Sequence, residues 1–246
     1  PALVNKWARA EIALNNGCDL VLELPCVFAT AGAEYFSFGG VSALDATGII
    51  DYLCFGSESG EINELKEISD ILSAEPEEYQ RFLRQNLVKG LAYAKARDNA
   101  LAQYMGGNNT SIIQHSNNIL AIEYLKALNK LNSKIEPITI KRIGAGYNDV
   151  EHEQNQEYAS ASYIRKLITN SNCSLEQLKE TLTTLIPAAG FDILIKELES
   201  GRVVTLNKFN DIIMAMLRIA TKDSLLQLPD VNEGLENRIL KAVGKS

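Results

Sequence analysis

Residues 33–60 read AEYFSFGGVSALDATGIIDYLCFGSESG, and this stretch decides the fold. Its first part, 33–47, has helical patterning and stops at Gly48, which suits the left-handed residue that ends many helices. The run IIDYLCFG (49–56) then carries apolar side chains without alternation, the mark of a strand buried on both faces. Gly56-Ser57-Glu58-Ser59-Gly60 closes it. Working backwards, LVNKWARAEIALNN (3–16) reads as a helix ended by Gly17, and CDLVLELP (18–25) as another buried strand. Helix–Gly–strand, repeated, predicts a doubly wound, Rossmann-like α/β parallel sheet.

Working forwards, residues 61–105 form a helical block without strand signal, an insertion. Its charge is polarised. Residues 58–78 hold eight acids against Lys66, whereas 81–97 hold Arg81, Arg84, Lys89, Lys95 and Arg97 with no acid. The basic strip suits either a solvated face or a phosphate-backbone contact. Beyond a Gly/Asn turn (106–109), Ile119, Ile122, Leu125 and Leu128 recur at helical spacing, with Ser116 or Asn117 as the expected N-cap. IEPITIKRI (135–143) reads as a third strand, followed by the loop 144–158 and the helix ASASYIRKLI (159–168). Residues 174–246 read as helices broken at Pro187, Gly201 and Pro229. The Asn/Ser-rich TNSNCS sets a boundary near residue 172, giving an α/β domain over 1–172 and a helical domain over 173–246.

The composition narrows the possibilities. Of the 246 residues, 46% are hydrophobic, enough for a real core, and the net charge of −7 excludes a globally basic nucleic-acid binder. No run of about 18 apolar residues suits a membrane span. Cys18, Cys26, Cys54 and Cys173 are scattered without a CxxC pair, which predicts buried free thiols in a reducing, cytoplasmic compartment. His115 and His152 lack zinc-ligand spacing to any cysteine. The first residue is Pro1 and the helical signal starts at once, which reads as a fragment boundary.

In open α/β sheets, ligands bind beyond the carboxyl ends of the strands. Three such ends carry polar residues: Glu23-Leu24-Pro25, the 56–60 loop, and Lys141-Arg142-Ile143-Gly144. Gly56 and Gly60 suit close ligand approach or a plain turn. Glu58 and Glu61 suit the first turn of the following helix. Lys141 and Arg142 suit a phosphate or carboxylate, or surface ion pairs. Ser160 can cap the next helix, leaving N–H groups toward an anion that Arg165 would also reach. Together these make a triphosphate site without a Walker loop.

In this order, PALVNKWARAEIAL, CDLVLELP, FGSESGEI, SNNILAIEYLKAL, IKRIGAGYND, ASASYIRKLI and VNEGLENRI resemble the bacterial tRNA(Met) cytidine acetate ligase family, within the nucleotidyltransferase superfamily that carries a His-x-Gly-His motif. The resemblance runs along essentially the whole chain. It implies an enzyme that activates acetate with ATP as acetyl-adenylate. The acetyl group then goes to N4 of the wobble cytidine of elongator tRNA(Met). By motif match, Gly56, Asn117, Arg142 and Ile143 fall at ATP-binding positions, and Ser160 and Arg165 match the phosphate-contacting helix. Arg142 and Arg165 are then the expected catalytic cations, and Lys6 and Arg9 are candidates for the same cleft. Magnesium is expected with the phosphates. The tRNA is expected on the cationic strips 81–97 and 126–142 and on the C-terminal helices.

The chain also departs from the family pattern. The strand and His-x-Gly-His loop expected upstream are absent, and the family extends beyond GLENRI, so the chain reads as trimmed at both ends. Cys26 and Asn148 replace a frequent aromatic and a frequent histidine. Two other functions fit the residues: adenylation of a different small metabolite, or nucleotide and tRNA binding without turnover.

Overall fold

The computed structural model describes residues 2–107, 112–143, 159–169, 174–229, 231 and 234–244. In chain order the helices and strands are α1 (Lys6–Asn15), α2 (Cys26–Ala29), α3 (Ala33–Asp45), β1 (Tyr52–Ser57), α4 (Ile62–Ala74), α5 (Glu77–Val88), α6 (Tyr93–Tyr104), α7 (Ser116–Leu131) and β2 (Glu136–Lys141). They continue as α8 (Ala161–Thr169), α9 (Leu175–Leu185), α10 (Ala188–Glu199), α11 (Asn210–Ile219), α12 (Lys222–Leu226) and α13 (Leu235–Val243). The chain forms two compact units, one of residues 24–143 and one of 1–23 with 144–246.

The first unit has the α/β architecture predicted for it. β1 and β2 pair in parallel, with Tyr52 opposite Glu136 and Ser57 opposite Lys141. Parallel strands need a long crossover, and α4–α7 supply it. Because the register is flush, the loop after β1 and the residues after β2 leave the sheet at the same end. Ser57 Oγ hydrogen-bonds Thr139 Oγ1 across the pair at 2.6 Å and accepts Gly60 N–H at 3.0 Å, fastening the loop to its own strand. The core is the helical layer: Leu65 and Ile68 of α4, Tyr79 of α5, Leu101 of α6, and Ile122 and Leu125 of α7. Tyr79 meets Tyr104 edge-to-face with centroids 6.4 Å apart.

Helix ends follow local chemistry. Gly48 sits at φ +69° behind α3, in the left-handed region where glycine alone is unpenalised. Pro76 stops the chain from continuing α4, and Glu77 and Glu78 then occupy the first turn of α5, where the helix dipole favours acids.

The second unit is helical. Asn5 caps α1 by accepting Trp7 N–H and Ala8 N–H, at 2.9 and 3.0 Å. Val4 and Ala8 pack with Leu178, Leu182, Leu194 and Ile195. Glu197 holds this arrangement together, because its carboxylate accepts from Asn5 Nδ2 at 3.0 Å and from Arg202 Nη2 at 2.7 Å. The Arg202 hydrogen bonds outweigh desolvation and hold the Glu197 carboxyl below its ordinary pKa. Ser174 and Gln177 form a capping box at the start of α9.

Four expectations are corrected. Residues 18–25 form no regular secondary structure and pair with no strand among the described residues, and Leu20, Val21 and Leu22 are exposed. An apolar run is only the side-chain half of a strand; the other half is a neighbouring backbone, which the run does not encode. Cys18, Cys26 and Cys54 are free, as expected, but exposed rather than buried. Cys18 belongs to that unpaired segment, and Cys54 shares the exposed sheet face with Ile138 and Ile140, so β1 is buried on one face rather than on both. Finally, the N-cap of α7 is His115, with Ser116 and Asn117 already inside the helix. The predicted loop 144–158, His152 and Cys173 lie outside the described residues. Among the described residues no helix is long and apolar enough to cross a membrane.

Candidate nucleotide-binding site

Gly56 is the next-to-last residue of β1, and Arg142 follows β2. Arg142 N–H donates to the Ser57 carbonyl at 2.9 Å, one step beyond the last strand pair. That bond lays the arginine stem across Gly56. A Cβ added at Gly56 would stand 3.3 Å from Arg142 Cγ. Gly60 makes a second close approach. It has φ +70°, and an added Cβ would meet Lys141 Cβ at 2.6 Å. The glycines that admit the two cations are therefore Gly56 and Gly60, from the neighbouring strand end. Arg142, Lys141 and Ile143 are all exposed, and Arg142 and Lys141 form no ion pair among the described residues.

Gly60→Ala should therefore cost about 2–3 kcal/mol, because it adds backbone strain to a clash with fixed atoms. Gly40→Ala, inside α3 with nothing near its added Cβ, should be neutral or stabilising by about 0.5–1 kcal/mol. Urea unfolding of both variants checks the contrast; equal losses would mean that the Lys141 contact does not constrain the loop.

The third feature is a brace between the 56–60 loop and the start of α7. Glu58 Oε1 accepts from Asn117 Nδ2 at 2.6 Å and from Asn117 N–H at 3.3 Å, and Oε2 accepts from Asn118 N–H at 2.8 Å. Asn118, itself buried, returns the contact: its Oδ1 accepts from Glu58 N–H at 2.8 Å and Ser59 N–H at 3.2 Å. Partial burial pushes the Glu58 carboxyl up, but the hydrogen bonds from Asn117 and the backbone outweigh it and leave the pKa below its ordinary value. Glu58 does not serve the helix that follows it, as the sequence predicts. It serves the N-terminus of α7, where an acid meets both the free N–H groups and the dipole. Sequence reasoning missed Asn118 and the pairing of Glu58 with it. The two lie about 60 positions apart, and no local spacing announces the pair.

Gly56, Asn117, Arg142 and Ile143 thus converge on one sheet end. Ser160 and Arg165 belong to the second unit. Ser160 Oγ accepts Tyr163 N–H at 3.0 Å, the predicted cap of α8, and Arg165 is exposed on the next turn. Lys6 is committed to Glu23, at 2.8 Å. Among the described residues no group of three or more His, Cys, Asp or Glu side chains is placed to hold a metal. The expected magnesium thus finds no protein cage among them.

An exposed cation over a glycine at the carboxyl end of a parallel sheet is a general anion site, and the whole-chain pattern narrows it further. The family model described as HIGH Nucleotidyl Transferase matches residues 1–246. The chain belongs to this family. Among the curated relatives that match is the tRNA(Met) cytidine acetate ligase of Acetivibrio thermocellus. It is 45% identical over 245 residues, covering 98% of this chain and 58% of the relative. The tRNA(Met) cytidine acetate ligase of Clostridium perfringens is 40% identical over 254 residues, covering 100% of this chain and 60% of the relative. The crystal structure of apo Thermotoga maritima TmcAL superposes with TM-score 0.90 at 38% identity, covering 100% of this chain and 58% of that one. A second T. maritima TmcAL structure, bound with alpha-thio ATP, superposes with TM-score 0.87 at 38% identity and 57% coverage of that chain. The chain therefore spans about 60% of the length of the curated relatives it matches.

Proposed function

We propose that this chain is the nucleotide-holding part of an ATP-dependent ligase that acetylates N4 of the wobble cytidine of elongator tRNA(Met). One observation carries the reading: an arginine stem, without an ion pair among the described residues, laid over Gly56 at the strand end whose loop reaches Asn117 through Glu58, in a fold whose solved relative holds an ATP analogue.

The chemistry suits that arrangement. Acetate has no leaving group at neutral pH. Attack of its carboxylate oxygen on the α-phosphorus of ATP forms a C–O–P linkage and breaks the bond to the departing pyrophosphate. The cytidine N4 then attacks the acetyl carbonyl, loses a proton, and expels AMP. The first step needs alignment and neutralisation of phosphate charge more than proton transfer. Arg142 supplies a cation held by its backbone bond to Ser57, and Gly56, assigned to the site by its match to the family, leaves room for the arginine stem at the strand end. Asn117 addresses the nucleoside. Ser160 and Arg165 match the family's phosphate helix and are assigned as a further anion contact. Ile143, exposed beside Arg142, is assigned to the nucleoside edge. Magnesium would reach the site on the phosphates, and no step above is routed through it.

For the tRNA, Lys89 and Lys95 are cations with no ion pair or side-chain hydrogen bond among the described residues, whereas Arg81 pairs with Glu78 at 3.0 Å, Arg97 with Asp98 at 3.5 Å, and Arg84 donates to Gln80 Oε1 at 3.0 Å. The lysines are therefore the better phosphate contacts of the 81–97 strip.

Acetate-dependent exchange of labelled pyrophosphate into ATP by the full-length protein tests the proposal. Exchange is expected with acetate and absent without it. Exchange that follows a different carboxylate or a phosphate ester would assign the fold to another small metabolite. ATP and tRNA binding without any exchange would make the protein a binding module.

A further inference from the structure

The brace at the start of α7 has a direction. An ionised carboxylate only accepts hydrogen bonds. Glu58 Oε1, 2.6 Å from the Asn117 amide, therefore requires the NH2 end of that amide. The reverse orientation would set two acceptors against each other at hydrogen-bond distance with no proton between them. Side-chain amides are normally ambiguous in this respect, because O and N are alike in shape. Here the partner removes the ambiguity, and the depressed pKa of Glu58 keeps it ionised at neutral pH. With Nδ2 turned toward Glu58, Oδ1 is the free end of Asn117. Among the described residues nothing donates to it, and Asn117 is only half-buried.

Glu58 is itself held in register. Asn118 Nδ2 donates to the Ile112 carbonyl at 3.0 Å, while its Oδ1 takes the loop N–H groups of Glu58 and Ser59. The carboxylate cannot shift along α7 without breaking contacts on both of its oxygens.

We propose that Glu58 is a positioning residue that sets nucleotide specificity: by holding the Asn117 NH2 group, it makes the site present an oxygen acceptor, which selects a hydrogen-bond donor on the nucleotide. This rests on the nucleotide reading above. Adenosine offers two kinds of donor, the exocyclic amine of the base and the ribose hydroxyls. A fixed acceptor rewards either and rejects a carbonyl in the same place, because two acceptors left facing each other forfeit solvation without compensation.

Equilibrium titration of the full-length protein separates the alternatives. The ligands are ATP, purine riboside triphosphate (which lacks the amine), and 2′-deoxy- and 3′-deoxy-ATP. Wild type should bind the analogue lacking the contacted donor about tenfold more weakly than ATP, the size of one well-made hydrogen bond. The analogue that suffers identifies the donor. In Glu58→Gln the partner amide can itself turn, so Asn117 is no longer fixed. ATP should weaken and its preference over that analogue should collapse toward one. A purely structural role would weaken ATP and all analogues together and leave the ratio unchanged, which would overturn the inference. Equal wild-type affinity for all four ligands would also overturn it. Should Glu58→Gln fail to fold, Glu58→Asp keeps the charge but falls short of Asn117, and its ratio decides in the same way. Absence of ATP binding by wild type sinks the nucleotide reading as well; ATP binding with an unmoved ratio sinks only this inference.

Discussion

Arg142→Ala should lower acetate-dependent pyrophosphate exchange by about 100- to 1000-fold, the usual loss when one preorganised charge-stabilising donor is removed. The expectation comes from where the side chain is anchored. Its backbone N–H donates to the Ser57 carbonyl, and alanine keeps that bond. The side chain is exposed and makes no ion pair among the described residues, so the fold does not depend on it. Removing it should change stability by less than about 0.5 kcal/mol. It should also leave tRNA affinity nearly unchanged, since the 81–97 strip keeps all of its cations and the 126–142 strip loses only its last. Arg142→Lys refines the test. Lysine keeps the charge but not the planar fork that grips two phosphate oxygens at once. If geometry matters as well as charge, the lysine variant falls between alanine and wild type. The kinetic split identifies the stage: a fall in kcat places the contact in the transition state, and a rise in KM alone places it in ground-state binding. Exchange at the wild-type rate in Arg142→Ala would remove the residue from the mechanism.

The arginine was legible in the sequence, and so was the strand that carries it. Gly48, Gly56 and Gly60 bracket the run that becomes β1, and the run 135–143 marks β2, which suffices to place the two at the ends of a crossover. What the pattern lacks is pairing. Residues 18–25 are about as rich in apolar side chains as β1, yet only β1 of the two finds a partner backbone among the described residues. Gly60 was visible as a glycine, but its reason was not. The reason is a left-handed turn pressed against Lys141, about 80 residues away. The brace is a stronger case. Glu58 looked like an ordinary acid opening a helix, and SNN looked like an ordinary cap. Their relation exists only because the crossover returns α7 to the end of β1, so it belongs to the tertiary structure and has no local signature. Sequence reasoning therefore named Gly56, Asn117, Arg142 and Ile143 as candidates, and missed the contacts that hold Asn117 in place.

That orientation depends on the core beneath it, and Leu65→Ala should show how closely. Leu65 is fully buried in α4, one turn past the 56–60 loop, within the cluster that includes Ile68, Ile122 and Leu125. Truncation to alanine should cost about 3 kcal/mol, the transfer loss plus a cavity that helices on both sides can only partly close. Against the roughly 5–15 kcal/mol that a domain has in total, this is a large share. The urea midpoint should fall with little change in slope, because the surface exposed on unfolding hardly changes. Val88→Ala, at an exposed position of α5, should shift stability by less than about 0.5 kcal/mol. A Leu65→Ala loss under about 1 kcal/mol would mean that α4 is not held in this core. The functional consequence separates two views of the site. If α4 and α7 place the loop and Glu58, ATP affinity should fall in Leu65→Ala under conditions where the protein is still folded. If the loop is held by Ser57 and Arg142 alone, affinity should stay at the wild-type value while stability drops. The brace from Glu58 to Asn117 and Asn118 ties the loop to α7, and α7 packs on α4 through Leu65's own cluster, so the first outcome is the expected one.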